Sequence, residues 1–205
     1  QLCLLKNQSI HLYSYNQILK YIEENISCTI NDVLNEKINI IKDPIFIVGC
    51  GHSGTTILKK LLGNHSNIYN IKEESGIFRN EFDKTIRTKI YKLWSYICIK
   101  KKKKRWLEKT PKHVYHINTI LDDFPKAKII IITRHCNAVS SSIKERTGNF
   151  IDGIDRWSKD NIEWYKNENK SKCLIIQYEN LIRNTVDTFE SICNYLEEPY
   201  EDLSN

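Results

Sequence analysis

No methionine occurs among the 205 residues, which open on Gln1 and stop at Asn205 soon after an apparent helix, so the chain is expected to be a processed or partial one. No apolar run approaches the roughly 18 residues that a membrane-spanning helix needs, and Gln1-Leu2-Cys3-Leu4-Leu5 lacks the charged start and long apolar core of a signal peptide. The visible chain therefore carries no membrane segment; an anchor upstream of Gln1 lies outside that test. The seven cysteines are an odd set with no CxxC pair. Cys50, Cys98, Cys136 and Cys173 lie in or beside apolar stretches, as small reduced core residues do, which argues against a disulfide framework or a zinc site. Sequons at Asn7, Asn25 and Asn64 are expected by chance in so asparagine-rich a chain and do not establish secretion.

What is present fits one globular domain. With 40% hydrophobic and 27% charged residues the chain can build a core, and 31 Lys and Arg against 25 Asp and Glu leave a net charge of +6. That balance favours an anionic ligand or surface without naming it. Residues 1–43 are polar, with a weak helical period through Ile18, Leu19 and Ile22, and are expected to form a leading helical segment before a domain over 44–205.

Pro44-Ile45-Phe46-Ile47-Val48 is a short all-apolar run ending in Gly49, the pattern of a strand buried on both faces. Ile57, Leu58, Leu61 and Leu62 then recur at helical spacing, with Lys59 and Lys60 expected to face away. Lys128 to Thr133, with four consecutive isoleucines, predicts a second strand before a helix over Ala138 to Lys144. Pro111 suits the first turn of a helix carrying Ile117, Ile120 and Leu121. Cys173 to Gln177 predicts a third buried strand, followed by a helix with Val186, Phe189, Ile192, Cys193 and Leu196 on one face. Strands alternating with helices predict an α/β fold, a P-loop-like three-layer sandwich with a central parallel sheet whose ligands gather at the carboxyl ends of the strands.

Gly49-Cys50-Gly51-His52-Ser53-Gly54-Thr55-Thr56 stands where the first strand turns into a helix, so backbone N–H groups and the helix N-terminus can converge on an anion. A nucleoside triphosphatase loop would carry lysine where Thr55 stands; its absence argues against triphosphate and magnesium chemistry. At this point the chain resembles the sulfotransferase superfamily, whose 5′-phosphosulfate loop reads R/K-S-G-T-T between an apolar strand and a Leu-rich helix. His52-Ser53-Gly54-Thr55-Thr56 matches it, and three further segments follow in order. Trp106 to Pro111 is similar to W-x-E-K-T/D-P. Phe124 to Lys128 leads into a strand ending in Arg134, with Ser142 eight positions on, as in the 3′-phosphate motif. Gln177 to Leu181 is similar to the Y-E-D-L segment. The Glu-Lys-Thr-Pro segment and the paired glutamates after His65 are closest in flavour to the tyrosylprotein and small bacterial-type enzymes.

The resemblance implies 3′-phosphoadenosine 5′-phosphosulfate (PAPS) as co-substrate, no metal, and a small-molecule, glycan or peptide acceptor rather than nucleic acid. Gly51, His52, Ser53, Gly54, Thr55 and Thr56 would hold the donor's 5′ end, Arg134 and Ser142 its 3′-phosphate, and Tyr178 would lie near the nucleotide. His52 replaces the family's arginine or lysine, so a bound dianion is expected to keep it protonated, with Lys109 as the second cation. The general base is Glu74 when the Glu-Glu-Ser triplet is matched to the family, and Glu73 by ungapped counting; Glu74 is preferred. A P-loop kinase-like phosphotransferase and a degenerate, binding-only sulfotransferase domain are the competing readings. Lys100 to Arg105 is read as a solvated connection, His65 as a helix-end structural residue, and Trp157 and Trp164 as a packing stripe. Related enzymes continue past the last predicted helix, so the domain is expected to be truncated at its C-terminus; compartment stays open between cytoplasm and, given an upstream anchor, the Golgi lumen.

Overall fold

The computed structural model describes residues 19–20, 23–24, 29–72, 74–78 and 82–202. Five strands form one parallel sheet in the order β2-β3-β1-β4-β5: β1 Ile45–Gly49, β2 Ile68–Asn70, β3 Arg105–Lys109, β4 Lys128–Thr133 and β5 Cys173–Gln177. The all-apolar runs arise because the central strands feed two cores at once. Ile45, Ile47, Leu107, Ile130 and Ile132 enter one face, while Phe46, Val48, Trp106, Ile129 and Ile131 enter the other.

The first face is covered by α2 (Thr55–Gly63) through Leu58 and Leu62, and by α8 (Thr185–Leu196) through Phe189, Ile192, Cys193 and Leu196. The second face is aromatic. Phe46 meets Trp106 edge-on at 5.5 Å between ring centroids, and α1 (Ile30–Asn35), α3 (Lys84–Lys100) and α4 (Ile117–Asp123) close over them. Each such fully buried side chain stabilises the fold by about 1.5–3 kcal/mol. A 3₁₀ helix over Pro111–His116 precedes α4. Two further helices, α5 (Cys136–Thr147) and α6 (Phe150–Lys166), pack together where Gly153 meets Ser140; a Cβ at Gly153 would stand 2.4 Å from the Ser140 Cα. A short α7 (Tyr178–Arg183) joins β5 to α8.

Several expectations change. β5 is an edge strand with Ile175 exposed, because it has a neighbour on one side only; apolar composition does not distinguish it from the central strands. β2, three residues long, is too short to carry a pattern. Lys59 does not face away: it is buried, and its ammonium reaches the Lys72 carbonyl, while Ile57 is the exposed one. Val186 lies in the first turn of α8, outside its apolar stripe, and is exposed.

Lys101 to Lys104 link α3 to the start of β3, at the opposite end of that strand from Lys109. His65 is wholly buried after α2: its Nδ1 accepts from the Asn67 N–H, which leaves Nε2–H to donate to the Pro199 carbonyl at 3.0 Å. Trp157 packs on Cys50, Val139 and Ile143, and Trp164 on the aromatic layer. The period through Ile18 and Ile22, Cys3 and the sequons at Asn7 and Asn25 lie outside the described residues. Of the leading segment, Val33 is buried among the aromatic layer, and Lys92 donates to the Leu34 carbonyl at 2.6 Å. Among the described residues five cysteines are free, and no helix is long and apolar enough to cross a membrane.

Gly49 tests the sheet geometry. Its φ is +134°, and a Cβ there would lie 2.4 Å from the Ile132 carbonyl oxygen, a backbone atom that cannot yield without breaking the β1–β4 pairing. Gly49→Ala is expected to cost at least about 2 kcal/mol in urea unfolding at unchanged slope; a loss below about 0.5 kcal/mol, the level of an ordinary surface change, would contradict this close approach.

Candidate functional site

The turn after β1 is shaped by its backbone. His52 takes a left-handed φ of 69°, and Gly54, at +93°, precedes α2 without any side-chain cap. The first N–H groups of α2 thus have no capping oxygen and point out of the helix end together with the loop. Tyr178 explains Gly54: a Cβ there would lie 2.3 Å from its ring. Ser53 and Thr55 are turned inward, and the Ser53 Oγ is buried without a hydrogen-bond partner; Thr56 is exposed at the start of α2. Burial, and then the nearby Asp160 carboxylate, push the Cys50 thiol up to about 12, so it is no nucleophile at neutral pH.

Cations converge on this turn from three elements. Arg134, just past β4, donates from Nη1 to the His52 carbonyl at 3.0 Å and stacks on Tyr178 at 4.3 Å from the ring centroid; its Nε is buried and has no hydrogen-bond partner. Trp157 of α6 holds the Arg134 carbonyl at 2.7 Å. Arg146 of α5 stands 3.4 Å from His52 Nε2, and Ser142, one turn earlier, stands 2.9 Å from Nδ1. Arg156 of α6 lies against Gly51, where a Cβ would come within 2.5 Å of Nη2. Its Nε is 3.6 Å from Asp160, a wholly buried carboxylate that also takes Lys112 Nζ at 2.6 Å and the Tyr115 hydroxyl at 2.7 Å. Burial and the hydrogen bond to Asp160 push the Tyr115 phenol above its ordinary value.

His52 is held on the neutral side of its titration. Burial, then the positive charges of Arg156, Arg146 and Arg134, lower its pKa from 6.5. A neutral ring with its proton on Nδ1 donates to Ser142 and leaves Nε2 to accept from Arg146. The protonation expected at His52 therefore requires a bound dianion to outweigh three arginines.

Together these groups border a cavity of about 380 Å³ that includes Gly51, Thr56, Glu74, Arg134, Arg146 and Arg156 in its walls. Lys109, at the end of β3, is nearly buried; it pairs with the Glu74 carboxylate, itself half exposed, and lies 3.4 Å from Thr56 Oγ1. A larger groove of about 650 Å³ between Trp157, Trp164 and Ile175 meets the cavity at Arg134, but it is mainly apolar and includes none of the loop glycines. Among the described residues no group of histidine, cysteine and carboxylate side chains is arranged to hold a metal ion.

Of the residues singled out from sequence, Gly51 to Thr56, Arg134, Ser142, Tyr178, Lys109 and Glu74 come together around the turn. Glu73 lies outside the described residues. Arg146, Arg156 and Glu108 were not singled out. Arg146 carried a legible signal, since it follows Ser142 by four positions and so shares its helix face. Arg156 carried none, because only the packing of α6 on α5 brings it to Gly51. Glu108, on β3 beside Lys109, is completely buried and accepts from the Ser75 N–H at 3.2 Å, the Ser75 hydroxyl at 2.8 Å and the Thr110 hydroxyl at 2.6 Å, with His113 Nδ1 at 3.0 Å.

Among solved structures, the sulfotransferase domain of the Synechococcus PCC 7002 olefin synthase superposes with a TM-score of 0.61 at 17% identity, over 82% of this chain and 79% of that one. Sulfotransferase STF1 of Mycobacterium tuberculosis gives 0.62 at 15% identity, over 84% and 71%. Mouse sulfotransferase SULT7A1, complexed with PAP, gives 0.56 at 16%, over 84% and 65%. At such identities the likeness is one of fold. No curated protein matches the chain in sequence. The model of the sulfotransferase family, however, matches residues 77–202, more than half of the chain, and the chain belongs to that family.

Proposed function

We propose that the protein transfers a sulfuryl group from PAPS to a hydroxyl or amine acceptor, by in-line displacement with a glutamate base. The observation that carries this reading is the convergence of Arg134, Arg146 and Arg156 on a glycine turn, with Glu74 in the same cavity and Lys109 paired to it from behind. The chemistry fits the donor's two separated anionic ends. Loop amides and Thr56 suit the 5′ end; the guanidiniums of Arg134 and Arg146, with Ser142, suit the 3′-phosphate. The PAP bound to the mouse neighbour supports the same donor class.

PAPS supplies an activated sulfuryl group whose departure leaves negative charge on the 5′-phosphate. Lys109 and the loop amides face that charge, and Glu74 takes the acceptor's proton as the new S–O or S–N bond forms and the S–O bond to phosphate breaks. The ion pair with Lys109 holds the Glu74 carboxylate in place. The domain is read as residues 44–205, with 1–43 as its leading segment.

Titration calorimetry tests the donor: 3′-phosphoadenosine 5′-phosphate is expected to bind at least tenfold more tightly than ATP, and Arg134→Gln to weaken it by about 10–100-fold, the worth of a charged hydrogen-bond pair. Magnesium-dependent ATP turnover would instead favour the phosphotransferase. Glu74→Gln is expected to lower kcat by about 100-fold or more; if neither it nor Glu73→Gln costs more than about tenfold, the base is misassigned. A second reading, a binding-only domain, draws on the neutral His52 in place of the family's arginine or lysine. Its pH dependence separates the two. Since the site lowers the His52 pKa and a donor dianion raises it, the wild-type rate should fall at alkaline pH more steeply than that of His52→Arg, which stays charged; identical profiles would remove His52 from the chemistry.

A further inference from the structure

Glu108 is a wholly buried charge of the site that lies outside the cavity lining. It stands opposite Phe46 in the β1–β3 register, a place where an unpaired carboxylate would be strongly unfavourable. The Ser75 N–H, the Ser75 hydroxyl and the Thr110 hydroxyl donate to its Oε1 and His113 Nδ1 meets its Oε2, so both oxygens are paired. Burial opposes its charge, yet His113 and the hydroxyls of Thr110 and Ser75 hold it below the ordinary carboxyl range, so it is an anion.

Those contacts organise a loop. The Ser75 N–H donates to Glu108, the Gly76 N–H to the Thr110 hydroxyl at 3.3 Å, the Ile77 N–H to the Ser75 hydroxyl at 3.3 Å and the Phe78 N–H to His113 Nε2 at 3.4 Å. Four successive amides of a segment without regular structure are thereby paired, three of them directly to side chains of the β3 exit and one through the hydroxyl that Glu108 holds. The arrangement has a neighbour-to-neighbour logic. Glu108 precedes Lys109 on β3, and Ser75 follows Glu74 on the loop, so the Glu108–Ser75 bonds hold the two backbones in the register at which Lys109 meets Glu74.

We infer that Glu108 is a positioning residue: its buried carboxylate fixes the 74–78 loop against the end of β3 and so sets the Glu74–Lys109 pair on which acceptor deprotonation depends. The inference rests on the sulfuryl-transfer reading for its kinetic consequence, but not for its structural one. Glu108→Gln keeps the size while turning one accepting oxygen into a donating amide, which conflicts with at least one of Ser75, Thr110 and His113. Ser75→Ala is the milder companion, losing one hydroxyl while the Ser75 amide bond to Glu108 can persist.

Hydrogen–deuterium exchange and kinetics on the full chain test it together. In Glu108→Gln the amides of 75–78 should exchange at least tenfold faster while those of β1 and β4 are unchanged, and kcat should fall by about 10–100-fold with the affinity for 3′-phosphoadenosine 5′-phosphate within threefold. Ser75→Ala should move the same readouts in the same direction by less. Unchanged loop exchange overturns the inference, as does a nucleotide affinity that falls in step with kcat, which would mark general loss of structure. Should the wild type turn over no acceptor while loop exchange still rises in Glu108→Gln, the anchoring stands and the transfer reading fails.

Discussion

Pairing of β1 with β4, residue for residue from Ile45 opposite Lys128 to Gly49 opposite Ile132, decides where the charges of this protein can meet. With Gly49 pressed against the Ile132 carbonyl, the chain after β1 has to turn away at once, and the turn it makes faces the residue two places beyond Ile132, which is Arg134. A shift of one residue would carry Arg134 off the His52 carbonyl and invert which isoleucines enter which core. Because isoleucine would enter either face of β4 in both registers, the register is marked by the close approach of Gly49 to the Ile132 carbonyl.

Gathering three arginines in one cavity is itself unfavourable, and the fold offsets the repulsion locally. Arg134 is neutralised in part by a carbonyl and by the face of Tyr178, while Arg156 lies near the buried Asp160. His52 bears what remains: it is the one titratable group at the turn able to answer the field by releasing its proton. Lys109 is balanced directly by Glu74. The result is a preorganised cationic wall with one carboxylate in it, placed at the carboxyl ends of β1, β3 and β4 as a parallel sheet favours.

How much of this could be read in the sequence follows from how local each feature is. β1 and β4 announce themselves because strands buried on both faces need unbroken apolar runs, and the turn between β1 and α2 through its cluster of glycines at a strand end. β5 looks the same as the central strands in composition, since position in a sheet is not written in any one strand. Arg156 reaches Gly51 only because Gly153 lets α6 approach Ser140 of α5, a contact between helices. Glu108 was visible as one letter of the Trp106 to Pro111 segment, but Ser75 lies 33 residues away, and nothing local says that a buried carboxylate will be paired at both oxygens. Of the two neighbouring glutamates Glu74 pairs with Lys109, while Glu73 lies outside the described residues.

α2 links two otherwise separate parts of the molecule. Its first turn opens onto the cavity, and just past its last turn His65 grips the Pro199 carbonyl while the adjacent Ser66 amide donates to Glu201. Leu58 and Leu62 seat it on the sheet between those ends. Mechanically it is a beam with its far end clamped, so an anion drawn to the near end cannot be met by the helix sliding or tilting forward. Whatever accommodation the cavity makes has to come from the glycine turn and from the side chains around it.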